Sequence, residues 1–343
     1  MAATIRDIKN MTGLSLATIS KYLNGGNLLP ENREKIEEAI KTLHYEVNEM
    51  ARGLVTSQSK TIGVVVFDIS NVFTCTILQY LGGRLREEGY AAMICDSQND
   101  PEIEEENIRF LQGKKVDGMI VIPVSREPGF LEPVLRDHIP VVLLDRVLKD
   151  PRIDCVKVNN KEAAYEAVGM LVDQGHRRIA LISADTVITG QERLEGCLQL
   201  LKDRKISIPR KYLKLGAHSI EHGYRSMQEL LKLKERPTAV FMGNFEIILG
   251  AILAVNESPY QCPEDLSLIG FDDLIISNLS NPKLVLVVQP LQRMAEEAVR
   301  LLLKRIEQNR NGDNSKTEGG QYEHEILVLP ARIAKGESIA RCG

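Results

Sequence analysis

The sequence predicts a chain in two parts: a small all-helical N-terminal unit, then an α/β body of two doubly wound parallel-sheet lobes. Three observations predict this. The first 45 residues place apolar side chains at helical spacing around a tight Gly turn. From Thr61 onward, short β-rich apolar runs alternate with amphipathic stretches, the pattern of parallel βαβ units. The 343 residues hold more such units than one sheet of ordinary size needs.

Each element follows from local signals. Thr4, with Asp7 three residues on, approximates a capping box, and Ile5, Ile8 and Met11 then share a helix face. Gly13 ends that helix. Ser15 caps a second one, in which Leu16, Ile19 and Leu23 share a face. Asn24-Gly25-Gly26-Asn27 is a loop, and Pro30 suits the first turn of a third helix with an Ile36, Ile40, Leu43 stripe. A mostly polar linker, Val47–Lys60, carries the adjacent apolar pair Leu54 and Val55.

In the body, strands are expected at Ile62–Phe67, Ala91–Cys95, Met119–Ile122, Val141–Leu144, Ile179–Ser183, Ala239–Met242 and Leu266–Gly270. Helices between them include Thr76–Glu88, Ile103–Lys114, Ala163–Gln174 and Ile220–Lys234. Residues 310–321 form a polar surface loop.

Composition narrows the function. The chain is 43% hydrophobic and 26% charged, with 25 Gly and 14 Pro, which excludes collagen and disordered tails. No apolar run approaches the roughly 18 residues that span a bilayer, and the N-terminus lacks a secretory apolar core. A cytoplasmic location with no membrane partner is expected. The six cysteines are scattered, without CxxC pairs or zinc spacing, so reduced thiols and no metal site are expected. His218 and His222 read as surface histidines. No cofactor is expected. There is no P-loop, no GxGxxG after a strand and no HExxH. Gly13 to Ala17 lacks the second Gly of a nucleophile elbow, and Asp272-Asp273 suits binding or capping better than paired acid chemistry. The chain does not read as an enzyme.

The N-terminal unit has the parts of a helix-turn-helix. A capped second helix can enter the major groove, about 12 Å wide, and present its first turn to base edges. That turn is Ser15, Leu16, Ala17 and Thr18, with Ser20 and Lys21 behind it. Hydroxyls and helix amides suit phosphates, Lys21 suits a guanine edge or a phosphate, and Leu16 and Ala17 suit a thymine methyl. The competing reading of the same pattern is a three-helix bundle that binds protein. Charge separates head from body. The whole chain is −4, but the first 60 residues hold eight Lys/Arg against seven Asp/Glu, and the first 30 hold three against one.

The residues also carry a resemblance. Thr4-Ile-Arg-Asp-Ile8, Gly13 through Asn24, Asn48 through Leu54 and Lys60 through Val64 resemble the opening of the lac-repressor (LacI/GalR) family of bacterial transcription regulators. The match continues through Asp68–Asn71, Val116–Gly118, Asp145-Arg146, Gly175-His176, Arg193–Gly196, Pro263–Asp273 and Gln289-Pro290, in order.

The resemblance implies a helix-turn-helix headpiece at residues 1–46, a hinge helix and linker at 47–60, and a core at 61–343 like the periplasmic sugar-binding proteins. It places the first lobe at about 61–159 and 290–324, and the second at about 160–289 and 325–343. It adds Thr4, Asn24, Asn48, Ala51, Arg52 and Leu54 to the DNA-contacting set, with Leu54 as the wedge at the operator centre. It puts Phe73, Thr74, Arg193, Asn244 and Asp272 at the effector, with Phe245, Asp145 and Arg146 joining them and Asp68 and Ser125 as rim candidates. An Arg opposite an Asp suits a polyol or sugar acid; the alternative for Arg193 and Asp272 is an interlobe salt bridge. The sequence departs from the family at several places. Phe245 stands where Asp is usual, Thr74 where an aromatic is usual, and Lys21 where Arg is common.

The expected protein is a homodimeric repressor on a pseudo-palindromic operator, controlled by a carbohydrate-like small molecule in the interlobe cleft. The rival is a solute-binding protein with no DNA function.

Overall fold

The structure is a computed structural model that describes residues 3–23, 25–45, 58–272, 280–310 and 324–342. The chain divides into two compact units, Met1–Lys60 and Thr61–Gly343.

The first unit holds α1 (Ile5–Thr12), α2 (Leu16–Leu23) and α3 (Pro30–Leu43). Asp7 accepts from the backbone N–H of Thr4 at 2.8 Å and from its hydroxyl at 2.7 Å, so the reach-back half of the expected capping box forms. Gly13 ends α1 with φ +68°, in the left-handed region that a side chain disfavours. Ser15 Oγ then accepts the Thr18 amide at 3.1 Å and caps α2. Ile8, Ile19, Ile36 and Ala39 are buried at the centre, with Leu14, Tyr22, Leu28 and Leu43 packed around them. Burying each such isoleucine stabilises by about 1.5–3 kcal/mol.

The second unit runs β1 (Thr61–Val66), α4 (Val72–Glu87), β2 (Ala91–Asp96), α5 (Pro101–Gly113), β3 (Gly118–Val121), α6 (Glu132–Arg136), β4 (Val141–Leu144), β5 (Asp154–Val158) and α7 (Asn160–Asp173). It continues with β6 (Ile179–Ala184), α8 (Ile188–Asp203), β7 (Leu213–Gly216), α9 (Ile220–Leu231), β8 (Ala239–Met242), α10 (Phe245–Asn256) and β9 (Ser267–Phe271). It ends with β10 (Val285–Val288), α11 (Leu291–Arg310), β11 (Ile326–Leu329) and β12 (Arg332–Ala334).

Two six-stranded sheets form, in the orders β11-β5-β4-β3-β1-β2 and β12-β10-β9-β8-β6-β7. Every pairing is parallel except β10 with β12. Helices cover both faces, which is why β3, β4, β8 and β10 are buried at every residue and read as unbroken apolar runs. In the first lobe, Ile62, Val64 and Val66 meet Ile77 and Leu81 of α4 and Met294 and Leu302 of α11. Val65 and Val121 face Ile108 and Leu111 of α5 on the other side. In the second lobe, Val240 and Met242 pack on α9 and α10, while Leu181 and Phe241 pack on α7 and α8.

Two expectations shift. The helix expected from Thr76 begins at Val72, because the Asn71 side chain caps it by accepting from the amides of Phe73 and Thr74. The last chain crossing, expected at about residue 325, lies beyond Leu329. Ile326–Leu329 belongs to the first lobe, where it pairs with Cys155–Val158, and Arg332–Ala334 is the first segment back in the second sheet.

Candidate functional site

Two surfaces are candidates. On the headpiece, packing turns Ile19 inward and so turns the opposite face of α2 outward. Ser15, Leu16, Ala17 and Lys21 are exposed there, with Thr4 exposed at the start of α1. Thr18 is half-buried and its hydroxyl is engaged with Ser15 Oγ at 2.8 Å, so its first role is local. Ser20 is also half-buried. Asn24, Asn48, Ala51, Arg52 and Leu54 lie outside the described residues.

The second candidate is a cleft of about 460 Å³ between the lobes. In doubly wound sheets, loops at the carboxyl ends of strands form the ligand crevice. Here Phe67 and Asp68 follow β1, Asp145 and Arg146 follow β4, Asn244 follows β8, Asp272 follows β9 and Gln289 follows β10, and all line it.

Arg193, on α8, is the best-held group. Its Nε donates to Asn160 Oδ1 at 2.9 Å and its Nη1 to the Gly243 carbonyl at 2.9 Å. Its guanidinium lies over the Phe271 ring, 3.7 Å from the centroid. Asp272 Oδ1 is 3.6 Å from Nη1 and accepts from Gln289 Nε2 at 2.6 Å, while its Oδ2 accepts the Phe245 amide at 3.2 Å. Burial pushes the Asp272 carboxyl up, against the pull of Arg193. Arg193 and Asp272 belong to the same lobe, so their pair is not the interlobe bridge weighed in the sequence.

Asp145 and Asp272 both have positive φ, 69° and 97°, which aims each carboxylate from its strand end. Arg146 donates to the Pro123 carbonyl at 2.7 Å and stacks on Phe67, 4.5 Å from its centroid. Burial raises Asp145 and lowers Arg146. Among the described residues, several buried polar atoms of this site have no hydrogen-bond partner: Asp145 Oδ1, Arg146 Nε, His218 Nε2 and Gln289 Oε1. A bound molecule with hydroxyls could satisfy each of them.

Among the expected effector residues, Phe73, Asp145, Arg146, Arg193, Asn244, Phe245 and Asp272 line the cleft, and so does the rim candidate Asp68. Thr74 does not. It heads the buried stripe of α4 that continues through Ile77, Leu81 and Leu85, so its side chain turns into the lobe. Ser125 is absent from the lining, and its amide donates to Glu104 at 2.9 Å. His218 and His222 are not surface residues but half-buried, and His218 forms part of the cleft wall. Burial and the neighbouring Arg193 hold its imidazole down at about 3, hence neutral at ordinary pH.

Sequence reasoning missed Asn71, His218, Glu246 and Gln289. Asn71 caps α4, and its amide crosses the cleft to Glu246, which Asn244 also contacts. The N-cap pattern at Asn71 and the family match at Gln289-Pro290 were usable signals; nothing linear marks Glu246 or His218 as a cleft residue. Among the described residues, no cluster of His, Cys, Asp and Glu could hold a metal ion, and no helix is long and apolar enough to cross a membrane.

Comparison with known proteins agrees with this geometry. The family description "periplasmic binding protein-like domain" fits residues 168–339. The repressor PurR of Mannheimia succiniciproducens is 33% identical over 308 residues, spanning 89% of this chain and 92% of PurR. Catabolite control protein A of Priestia megaterium is 31% identical over 336 residues, spanning 97% and 98%. The chain belongs to the LacI family of transcriptional regulators.

This LacI-family chain also matches solved structures along its whole length. The lac repressor dimer bound to operator and the anti-inducer ONPF superposes with a TM-score of 0.87 over 99% of this chain and 100% of that one, at 23% identity. That likeness is one of fold. The regulator CelR in complex with cellobiose gives a TM-score of 0.70 at 26% identity, covering 98% and 99%. A LacI-family regulator from Enterococcus faecium with bound ribose gives 0.71 at 26% identity, covering 82% and 100%.

Proposed function

We propose that this LacI-family regulator is an effector-controlled repressor that binds a pseudo-palindromic operator as a homodimer. Its effector is a polyhydroxylated small molecule, a sugar or sugar derivative, held in the interlobe cleft. The observation that carries this reading is the cleft's set of buried polar atoms without a hydrogen-bond partner among the described residues, beside the Arg193–Asp272 pair, with Phe73 and Phe245 as aromatic walls. Sugars are bound by fixed hydrogen-bonding groups with an aromatic face alongside. Cellobiose and ribose in structural relatives support the same class.

The mechanism is a pose change. An effector that binds one relative pose of the lobes more tightly shifts the chain toward that pose by its differential affinity, typically 1–3 kcal/mol. The headpiece supplies an α2 whose exposed Ser15, Leu16, Ala17 and Lys21 meet the major groove. Asn24, Asn48, Ala51, Arg52 and Leu54 complete the DNA contacts.

A thermal-shift screen of neutral sugars, sugar acids and sugar phosphates tests the effector class. A ligand at 100 times its Kd stabilises by about 2.7 kcal/mol. The reading fails if no member shifts the melt. A solute-binding protein without DNA function would show shifts but no salt-dependent binding to DNA.

A further inference from the structure

Charge in the cleft can be matched group by group. Its lining holds four carboxylates, Asp68, Asp145, Glu246 and Asp272, against the guanidinium groups of Arg146 and Arg193. Arg146 Nε lies 3.8 Å from Asp145 Oδ2, and Arg193 Nη1 lies 3.6 Å from Asp272 Oδ1. Burial keeps His218 neutral. Asp68 of the first lobe and Glu246 of the second are left over, and among the described residues neither forms an ion pair.

Both are fixed in place as acceptors. Asp68 Oδ1 accepts from the Ser70 amide at 2.8 Å and the Ser70 hydroxyl at 2.6 Å, and its Oδ2 accepts from Asn99 at 3.4 Å. Glu246, in the first turn of α10, accepts from Asn71 of the first lobe on Oε1 and from Asn244 on Oε2. Neither asparagine can turn its amide round. Asn71 Oδ1 caps α4 by accepting the Phe73 amide at 3.0 Å, and Asn244 Oδ1 caps α10 by accepting the Ile247 amide at 3.1 Å. A donor on each oxygen is the pattern of an ionised carboxylate, which offers about four acceptor positions and here keeps about two open. Burial, with Asp272 and Asp68 adding like charge, works against that ionised form, so a cation entering the cleft relieves it.

The buried atoms without partners lean the same way. Gln289 Nε2 is committed to Asp272, so its Oε1 is an acceptor. Asp145 Oδ1 is another, and both residues are more than nine-tenths buried in the cleft wall. Arg146 Nε, a donor, already lies beside Asp145. Such a lining calls for a molecule rich in N–H and O–H groups. The ring faces of Phe73 and Phe245 favour a cation as well.

We propose that the effector is a hydroxylated amine, a sugar or polyol with one protonated nitrogen, whose ammonium group is received between Asp68 and Glu246. This narrows the effector reading and rests on it. An ammonium group brings three donors and the charge that the lining lacks. Because Asp68 and Glu246 stand on different lobes, a cation shared by both draws the lobes together and ties recognition to pose. Anionic sugars bring charge of the wrong sign and are rejected.

The test is a set of matched pairs. The full chain is melted with glucosamine, galactosamine, mannosamine and glucamine, each beside its hydroxyl parent, glucose, galactose, mannose or sorbitol, and beside the anions gluconate and glucuronate. At least one amine is expected to raise the melting temperature and to bind about tenfold or more tightly than its parent; the anions are expected to leave the melt unchanged. In Glu246→Gln, and in Asp68→Asn, which keeps an acceptor for the Ser70 amide, that amine loses about tenfold or more while its parent changes by less than about twofold. The proposal is overturned, with the effector reading intact, if a parent or an anion shifts the melt and no amine exceeds it, or if the amine keeps its advantage in either variant. If no compound shifts the melt, the effector reading fails and takes this proposal with it.

Discussion

The guanidinium of Arg193 lies 3.7 Å from the centroid of the Phe271 ring while its N–H groups reach Asn160 and Gly243. A side chain held by a ring and two hydrogen bonds is pre-organised for whatever enters the cleft. Arg193→Lys keeps the charge and loses both the planar fork and the stacking. Urea unfolding should show a loss of about 1–3 kcal/mol, and any sugar that raises the melting temperature of the unaltered chain should lose its effect.

Helices α9 and α10 touch at bare backbone. A Cβ on Gly250 would stand 2.0 Å from the Ile220 carbonyl oxygen and 2.5 Å from the Tyr224 nitrogen. Gly250→Ala must force the helices apart and is expected to cost about 1–3 kcal/mol or more. Gly82→Ala, where nothing lies within 4 Å, is the control. It should stabilise by about 0.5–1 kcal/mol through helix propensity. Denaturant midpoints of the two variants should move in opposite directions.

His218 is kept neutral by burial, its pKa lowered to about 3 from an ordinary 6.5. The unfolded chain takes up the proton first, so this residue's contribution is present above about pH 6.5 and is lost as pH falls toward 3. His218→Asn removes that acid sensitivity. Between pH 7 and pH 5 its urea midpoint should fall less than that of the unaltered chain; an equal fall would refute the assignment.

On DNA, two substitutions should separate charge from shape. Lys21→Ala lowers operator affinity and reduces the slope of log affinity against log salt by about 1. Leu54→Ala lowers affinity without altering that slope, since leucine releases no counterion. Filter-binding titrations at several salt concentrations distinguish them.

Much of this fold was legible because its signals are local. Thr4, Gly13, Ser15 and Pro30 mark helix ends by chemistry that needs no tertiary context. The strands buried on both faces announce themselves as apolar runs. Assignment of Ile326–Leu329 to a lobe was not legible, because four apolar residues do not say which sheet edge they will meet. At the cleft, Arg193 and Asp272 came from the family resemblance. Thr74 was misplaced because the helix starts at Val72 and puts it on the inward stripe. Glu246 went unmarked and His218 was read as a surface histidine for a plainer reason: their places are set by residues far away in sequence, such as Asn71 across the cleft from Glu246.

The late strand β11 has a consequence for how the protein is made. Glu325 donates its amide to Asp154 across a separation of 171 residues, and the strand that follows closes the outer edge of β5. A ribosome supplies β6 to β10 of the second lobe before it supplies the strand that finishes the first, and β12 of the second lobe comes later still. Until β11 arrives the nascent first lobe carries an open sheet edge, the kind of surface that recruits other chains. The two lobes mature together, because each takes a strand, β11 or β12, from the same late stretch of chain.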